Sequence, residues 1–362
     1  PFPIAVMVFV LNMIAFAGLL WAPMSAPLLW AVIAGLGCAL PLVLGLFSGH
    51  PGFLWASVGA FLAAQSNPLH RFGMLRLLLL TLFGACSAGL GFWAASDAVL
   101  SLVLFAAYGF LLAWLQRFGT EAGKLGLGLT VCLCLGQGQF GISGLHNPDA
   151  VAALFILGGL WVALLAFGLR GLHGLRMWPY MPRLLAVLRV LRRYAKRLPE
   201  QRWRLHALAC TLGCAAAGLI VQLADLQRGY WLTLALIATL QLENRGSLAR
   251  ALQASMISLG VALALIYLGH SLQSPPAMVA TILPLIVLSR ALQAHHYGLF
   301  VVQVGISFVL LAESLAPDWH QAQGRLLNSL IGVFLALLVA LLSHALQQWL
   351  ERRTEALPTN KN

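Results

Sequence analysis

Apolar residues fill this chain in long runs broken by short polar turns, at about 3–21, 27–47, 52–66, 74–95, 98–116, 124–140 and 149–170, then 205–224, 229–243, 248–269, 276–293, 297–313 and 324–348. A membrane-crossing helix needs about 20 such residues, so the pattern predicts twelve or thirteen transmembrane helices. Two runs are shorter. Phe53 to Gln65 and Tyr230 to Leu242 each reach only about 20 Å at a rise of about 1.5 Å per residue, against a hydrocarbon layer of about 30 Å.

The short runs belong to longer stretches that repeat. Each opens on Trp, closes on Gln, passes through a basic turn and enters a glycine-bearing helix. Trp55 and Trp231, Gln65 and Gln241, and Gly84 and Gly260 are all 176 positions apart, and Leu36 to Ala39 recurs as Leu212 to Ala215 at the same offset. One shared register for residues as rare as Trp, Gln and Cys predicts an internal duplication. Six runs then pair between the copies, and the run at 3–21 has no counterpart.

Charge sets the orientation. If every run crosses, Arg71 and Arg76, Arg117 and Lys124, the segment 170–206, Arg245 and Arg250, Arg290, and Arg352 with Arg353 fall on one side. That side is predicted to be cytoplasmic, with the C-terminus inside, because membrane helices keep an excess of Lys and Arg there. Asp97, His146 with Asp149, Asp225 with Arg228, and Glu313 with Asp318 fall on the other side. Both copies start and end inside, which predicts parallel repeats about an axis along the membrane normal. The expected organisation is an all-α polytopic membrane protein of two tandem parallel six-helix bundles. Its parts are a first repeat with an extra N-terminal helix at 1–171, a connector at 172–204, a second repeat at 205–348 and a cytoplasmic tail at 349–362. Leu and Val alternate with Arg and Lys in the connector at helical spacing, which reads either as an amphipathic helix on anionic lipid headgroups or as a solvated charged linker.

Composition agrees. Hydrophobic residues make up 60% of the 362 positions and charged residues 9%, against roughly 25% charged in soluble domains. The net charge of +12 lies in turns, so nucleic acid is not the expected partner. All six cysteines fall within apolar runs, where they read as small hydrophobes; no metal or other cofactor is expected. Gly141-Ile142-Ser143-Gly144 has the form of an intramembrane serine protease motif. The span histidine at plausible depth, His344, lacks the glycine spacing such a site needs, so no enzyme is expected.

A helix too short to cross is tolerated where its end is covered by protein or faces water, which is where transporters place binding sites. Gln65 and Gln241 read either as the ends of paired half-helices facing a shared cavity or as interfacial residues of tilted helices. Trp55, Tyr230 and Trp231 read as interfacial anchors or as contacts for an aromatic solute. Glu313 ends its run opposite Gln137 of the other copy and is the candidate for proton coupling, or else a solvated loop carboxylate. Arg290, beside His295 and His296, would attract a carboxylate, although positive-inside topology also accounts for it. Gln303 and Ser307 share a helix face expected to point inward.

Gly229-Tyr230-Trp231, the run to Gln241 and a turn bearing Arg245 and Arg250 before a glycine-containing helix together resemble the repeat unit of the fusaric acid resistance and aromatic acid exporter family of bacterial inner-membrane proteins. Trp55, Gln65, Arg71 and Arg76 resemble it less closely. The family usually has Pro after that Gln, where this chain has Leu242, and a Gly-Thr-x-x-Gly in the next helix, where it has Ser258, Leu259 and Gly260. These departures bear on substrate more than on fold. The resemblance implies two six-helix bundles, proton-coupled export of aromatic or other amphipathic organic anions across the inner membrane and a periplasmic adaptor partner; whether the chain forms a homo-oligomer stays open at this point. On that reading Arg71, Arg76, Arg245, Arg250 and Arg290 recruit a carboxylate, Gln65 and Gln241 hydrogen-bond it, and Trp55 and Trp231 stack on its ring. A passive organic-anion channel and a non-transporting subunit of an envelope assembly are the alternatives.

Overall fold

A computed structural model describes residues 26–67, 73–140, 145–172, 184–195, 200–224, 226, 229–240, 275–292, 297–314 and 322–355, with isolated positions at 256, 260 and 263. Among them are twelve helices and no strand. The first half holds α1 (Ala26–Ser48), α2 (Pro51–Ala64), α3 (Gly73–Ala94), α4 (Ala98–Gln116), α5 (Thr120–Gly138) and α6 (Pro148–Leu172). The connector helix is α7 (Leu184–Ala195). The second half holds α8 (Glu200–Leu223), α9 (Tyr230–Thr239), α10 (Pro275–Leu292), α11 (Tyr297–Ser314) and α12 (Ala322–Glu355). The apolar run at 3–21 and most of that at 248–269 lie outside the described residues, as do Arg71, Gln241, Arg245, Arg250, His295 and His296.

Among the described residues six helices are long and apolar enough to cross a membrane, namely Leu28–Ser48, Gly73–Ala94, Ala98–Gln116, Pro148–Gly168, Trp203–Leu223 and Leu327–Trp349. With two of these helices in the second half and four in the first, the chain is a multi-pass membrane protein. The two short runs are short helices: α2 has 14 residues and α9 has 10. Two boundaries differ from expectation. α8 starts at Glu200, so Trp203 and Arg204, expected in the connector, belong to its first turns, and α12 continues past Gln348 to Glu355.

Helix order repeats at the offset seen in the sequence: α1, α2, α4, α5 and α6 correspond to α8, α9, α10, α11 and α12. Packing repeats with it. Within the halves, α1 packs on α2 as α8 does on α9, α2 on α6 as α9 on α12, α1 on α6 as α8 on α12, and α4 on α5 as α10 on α11. Between the halves the contacts are reciprocal: α4 packs on α8 and α10 on α1, while α5 packs on α9 and α11 on α2. A contact set that returns when the halves are exchanged is what a two-fold relation produces.

Glycine permits the closest of these approaches. A Cβ on Gly158 of α6 would overlap the Ala56 carbonyl oxygen of α2 and lie 2.7 Å from its carbon. One turn along, a Cβ on Gly59 would overlap the Phe155 carbonyl oxygen. Backbone packed on backbone leaves no side chain to move aside, so only glycine fits. In the other half Gly332 of α12 meets Leu232 of α9 in the same way, and Leu232 is the counterpart of Ala56.

Candidate functional site

Helices of both halves meet around the C-terminus of α2. A helix leaves its last four carbonyls without internal partners, and away from water each must find a donor. Two side chains supply them here. Trp30 of α1 donates through Nε1 to the Ala64 carbonyl at 3.0 Å, and Arg76 of α3 donates through Nη2 to the Gln65 carbonyl at 3.3 Å. Arg76 also donates through Nε to Ser66 Oγ at 2.9 Å and through Nη1 to Glu121 of α5, with which it forms an ion pair. A 14-residue helix can therefore end inside protein, because its carbonyls are capped by an indole and a guanidinium.

Gln65 sits at the centre. Its side-chain oxygen accepts a hydrogen bond from Arg290 Nη2 of α10, a residue 225 positions away and in the other half. The Arg290 side chain is 2% exposed and its guanidinium lies 4.9 Å from the centroid of the Trp30 ring. Such a contact is strongest when desolvated, at about 2 kcal/mol. Gln65 Nε2 is buried and donates to none of the described residues. An orphaned amide N–H costs about 1–3 kcal/mol and is relieved by any acceptor that reaches it. One buried guanidinium, one unused donor and an aromatic face thus converge at the end of a short helix, which suits a carboxylate attached to a ring.

The quasi-equivalent seam, between α4 and α8, carries different chemistry. His206, the counterpart of Trp30, is buried and meets Gln116 Oε1 through Nε2. Cys210 Sγ lies 3.5 Å from the same nitrogen. Trp203 donates through Nε1 to the Ala113 carbonyl at 3.2 Å, and Arg117 stands 4.5 Å from the centroid of its ring. The counterpart of Arg290 is Trp114, which is exposed.

At the opposite end of the bundle, Gln139 of α5 donates through Nε2 to the Ala312 carbonyl of α11 at 3.0 Å, next to Glu313. Gln137, the counterpart of Glu313, donates to Ser101 of α4 at 2.5 Å. On α11, Ser307 is fully buried and donates to the Gln303 carbonyl, while Gln303 Oε1 is a buried acceptor with no donor among the described residues.

The structure therefore brings Gln65, Arg76 and Arg290 together. It places two other expected residues elsewhere. Trp55 is fully buried with its Nε1 unpartnered, and Trp231 is 7% exposed, stacked at 5.1 Å on Tyr230. Neither stands at the bundle surface as an anchor does, because α1 and α6 enclose α2, while α8 and α12 pack on α9. Three participants went unnamed in the sequence: Trp30, Ser66 and Glu121. Trp30 leaves a trace, as it lies 34 residues before Ala64 in the antiparallel neighbour, but no local pattern marks Glu121. His206 was hidden by the basic connector that precedes it.

Residues 212–339 match the family model described as fusaric acid resistance protein-like. The match runs from within α8 into α12. No curated protein and no solved structure matches the chain.

Proposed function

We propose that this chain, whose residues 212–339 match the family model described as fusaric acid resistance protein-like, exports amphipathic organic anions, aromatic acids foremost, across the cytoplasmic membrane. The observation that carries the reading is the meeting of Gln65 and Arg290. Two residues singled out separately as carboxylate ligands are joined across the halves, at the buried end of a helix too short to cross alone. Burying a guanidinium costs several kcal/mol, and a site that recruits an anion gives that cost a use.

The steps follow from the groups present. The basic turns raise the local concentration of anions at the cytoplasmic face. A carboxylate entering at α2 accepts from Gln65 Nε2 and competes with Gln65 Oε1 for Arg290, while its ring lies against Trp30. Because α2 and α10 belong to opposite halves, exchanging Gln65 for a solute carboxylate on Arg290 loosens the seam between α1, α2 and α10, and a seam between repeats is where alternating access is gated. We assign proton coupling to Glu313 on α11, at the opposite end, where α11 meets α5 of the other half through Gln139.

A strain lacking the protein and complemented with Gln65→Leu or Arg290→Gln is expected to lose resistance to a toxic aromatic acid while the variants insert at wild-type levels. Glu313→Gln should abolish export driven by a proton gradient but leave acid binding in place. Full resistance in both Gln65→Leu and Arg290→Gln would discard the site.

A further inference from the structure

We propose that Glu121 sets the charge selectivity of the site at the end of α2, admitting singly charged aromatic carboxylates and holding off doubly charged ones; the inference rests on the reading of Gln65 and Arg290 as the carboxylate site. Gln65 stands between two guanidinium groups, with Arg290 on its side-chain oxygen and Arg76 on its backbone carbonyl. Arg76 is tied to an acid, Glu121. Its side chain is 12% exposed, whereas that of Glu121 is 44% exposed, so the carboxylate occupies the rim of the site and reaches inward to a largely buried cation. Lys124 holds the other Glu121 oxygen at 3.0 Å from the solvent side. Glu121 therefore already fills the place beside Arg76 that a second ligand carboxylate would take.

A monocarboxylate needs the unused Gln65 donor and the field of Arg290, neither of which Glu121 occupies. A dicarboxylate on the same ring puts its second charge beside Glu121. Unit charges about 8 Å apart at an effective dielectric constant of 20 to 80 alter a binding constant roughly two- to thirtyfold, and this repulsion acts on the dianion in excess of its effect on the monoanion. Glu121→Gln removes it and keeps an oxygen acceptor on Arg76, so the buried cation retains a hydrogen bond while gaining the capacity to hold a ligand carboxylate.

Purified full-length protein in detergent is titrated calorimetrically with benzoate and with phthalate, at a pH where both acids are fully ionised. The wild type is expected to favour benzoate. Glu121→Gln is expected to raise the phthalate-to-benzoate affinity ratio at least threefold, and Glu121→Asp, which keeps the charge, to hold the wild-type ratio. An unchanged ratio in Glu121→Gln, alongside loss of benzoate binding in Arg290→Gln, overturns the role of Glu121 and leaves the carboxylate site standing. Wild-type benzoate affinity in both Arg290→Gln and Gln65→Leu, or no binding of either acid by the wild type, removes the site itself and this inference with it. A misfolded Glu121→Gln is bypassed by Lys124→Gln, which leaves the Glu121 charge less screened and must lower the ratio; a rise there also overturns the proposal.

Discussion

Replacing Gly158 by Ala tests the packing on which the site is hung. In α6 the added methyl would overlap the Ala56 carbonyl oxygen, 2.7 Å from the carbonyl carbon and 2.9 Å from the Ala60 nitrogen. These are backbone atoms of α2, so α2 as a whole has to retreat. Overpacking of this kind costs about 1–3 kcal/mol, and a rigid backbone neighbour places it in the upper part of that range. Exchanging Gly for Ala in a helix returns about 1 kcal/mol, leaving a net loss of about 1–2 kcal/mol. The control lies ten residues along the same helix, where a Cβ on Gly168 meets nothing within 4 Å. Gly168→Ala should therefore show only the propensity gain, and the two variants should differ by about 2–3 kcal/mol. Thermal unfolding of the purified proteins, followed by tryptophan fluorescence in one detergent, reads the difference. Since α2 carries Gln65, Gly158→Ala should also weaken benzoate binding, which Gly168→Ala should not. If Gly158→Ala unfolds at or above the temperature of Gly168→Ala, the close approach of α2 and α6 is wrong and the placement of Gln65 goes with it.

Two further outcomes probe the two seams. At the α4–α8 seam, Gln116→Leu or His206→Leu removes one side of the buried hydrogen bond between them and should cost about 1–3 kcal/mol. The double variant should cost less than the sum, and additive losses in the thermal assay would show that the pair is not in contact. At the α1–α10 seam, Trp30→Phe removes the indole donor to Ala64 and weakens the ring contact with Arg290. Benzoate affinity should fall several-fold, and unchanged affinity would show that Trp30 does not hold the guanidinium.

The described helices were legible from the sequence to within a few residues, because bilayer-length apolar runs are the least ambiguous signal a chain carries. The shortness of α2 and α9 was legible too, since it depends on counting alone. What the sequence could not reveal was which residues cap the short helix. Trp30 and Arg76 reach the last carbonyls of α2 from neighbouring helices, and that geometry depends on crossing angles rather than on spacing. Trp55 misled for a related reason. A tryptophan at the mouth of an apolar run resembles a headgroup anchor, but a helix enclosed by its own bundle turns that end into core. His206 was masked by arginines before it, which drew the helix start five residues too late. Glu121 stays unmarked in the sequence because its partner Arg76 lies 45 positions upstream.

The reciprocal seams have a consequence for how charge can be distributed. In a dimer of identical chains, a guanidinium sunk into one contact must appear in its mate, so the dehydration cost is incurred twice and two anions are invited where one is wanted. Covalent fusion lifts that constraint. Here one contact holds Arg290 against Trp30, whereas the matching positions carry Trp114 and His206, so a near-symmetric scaffold sinks this guanidinium into one seam and not its mate.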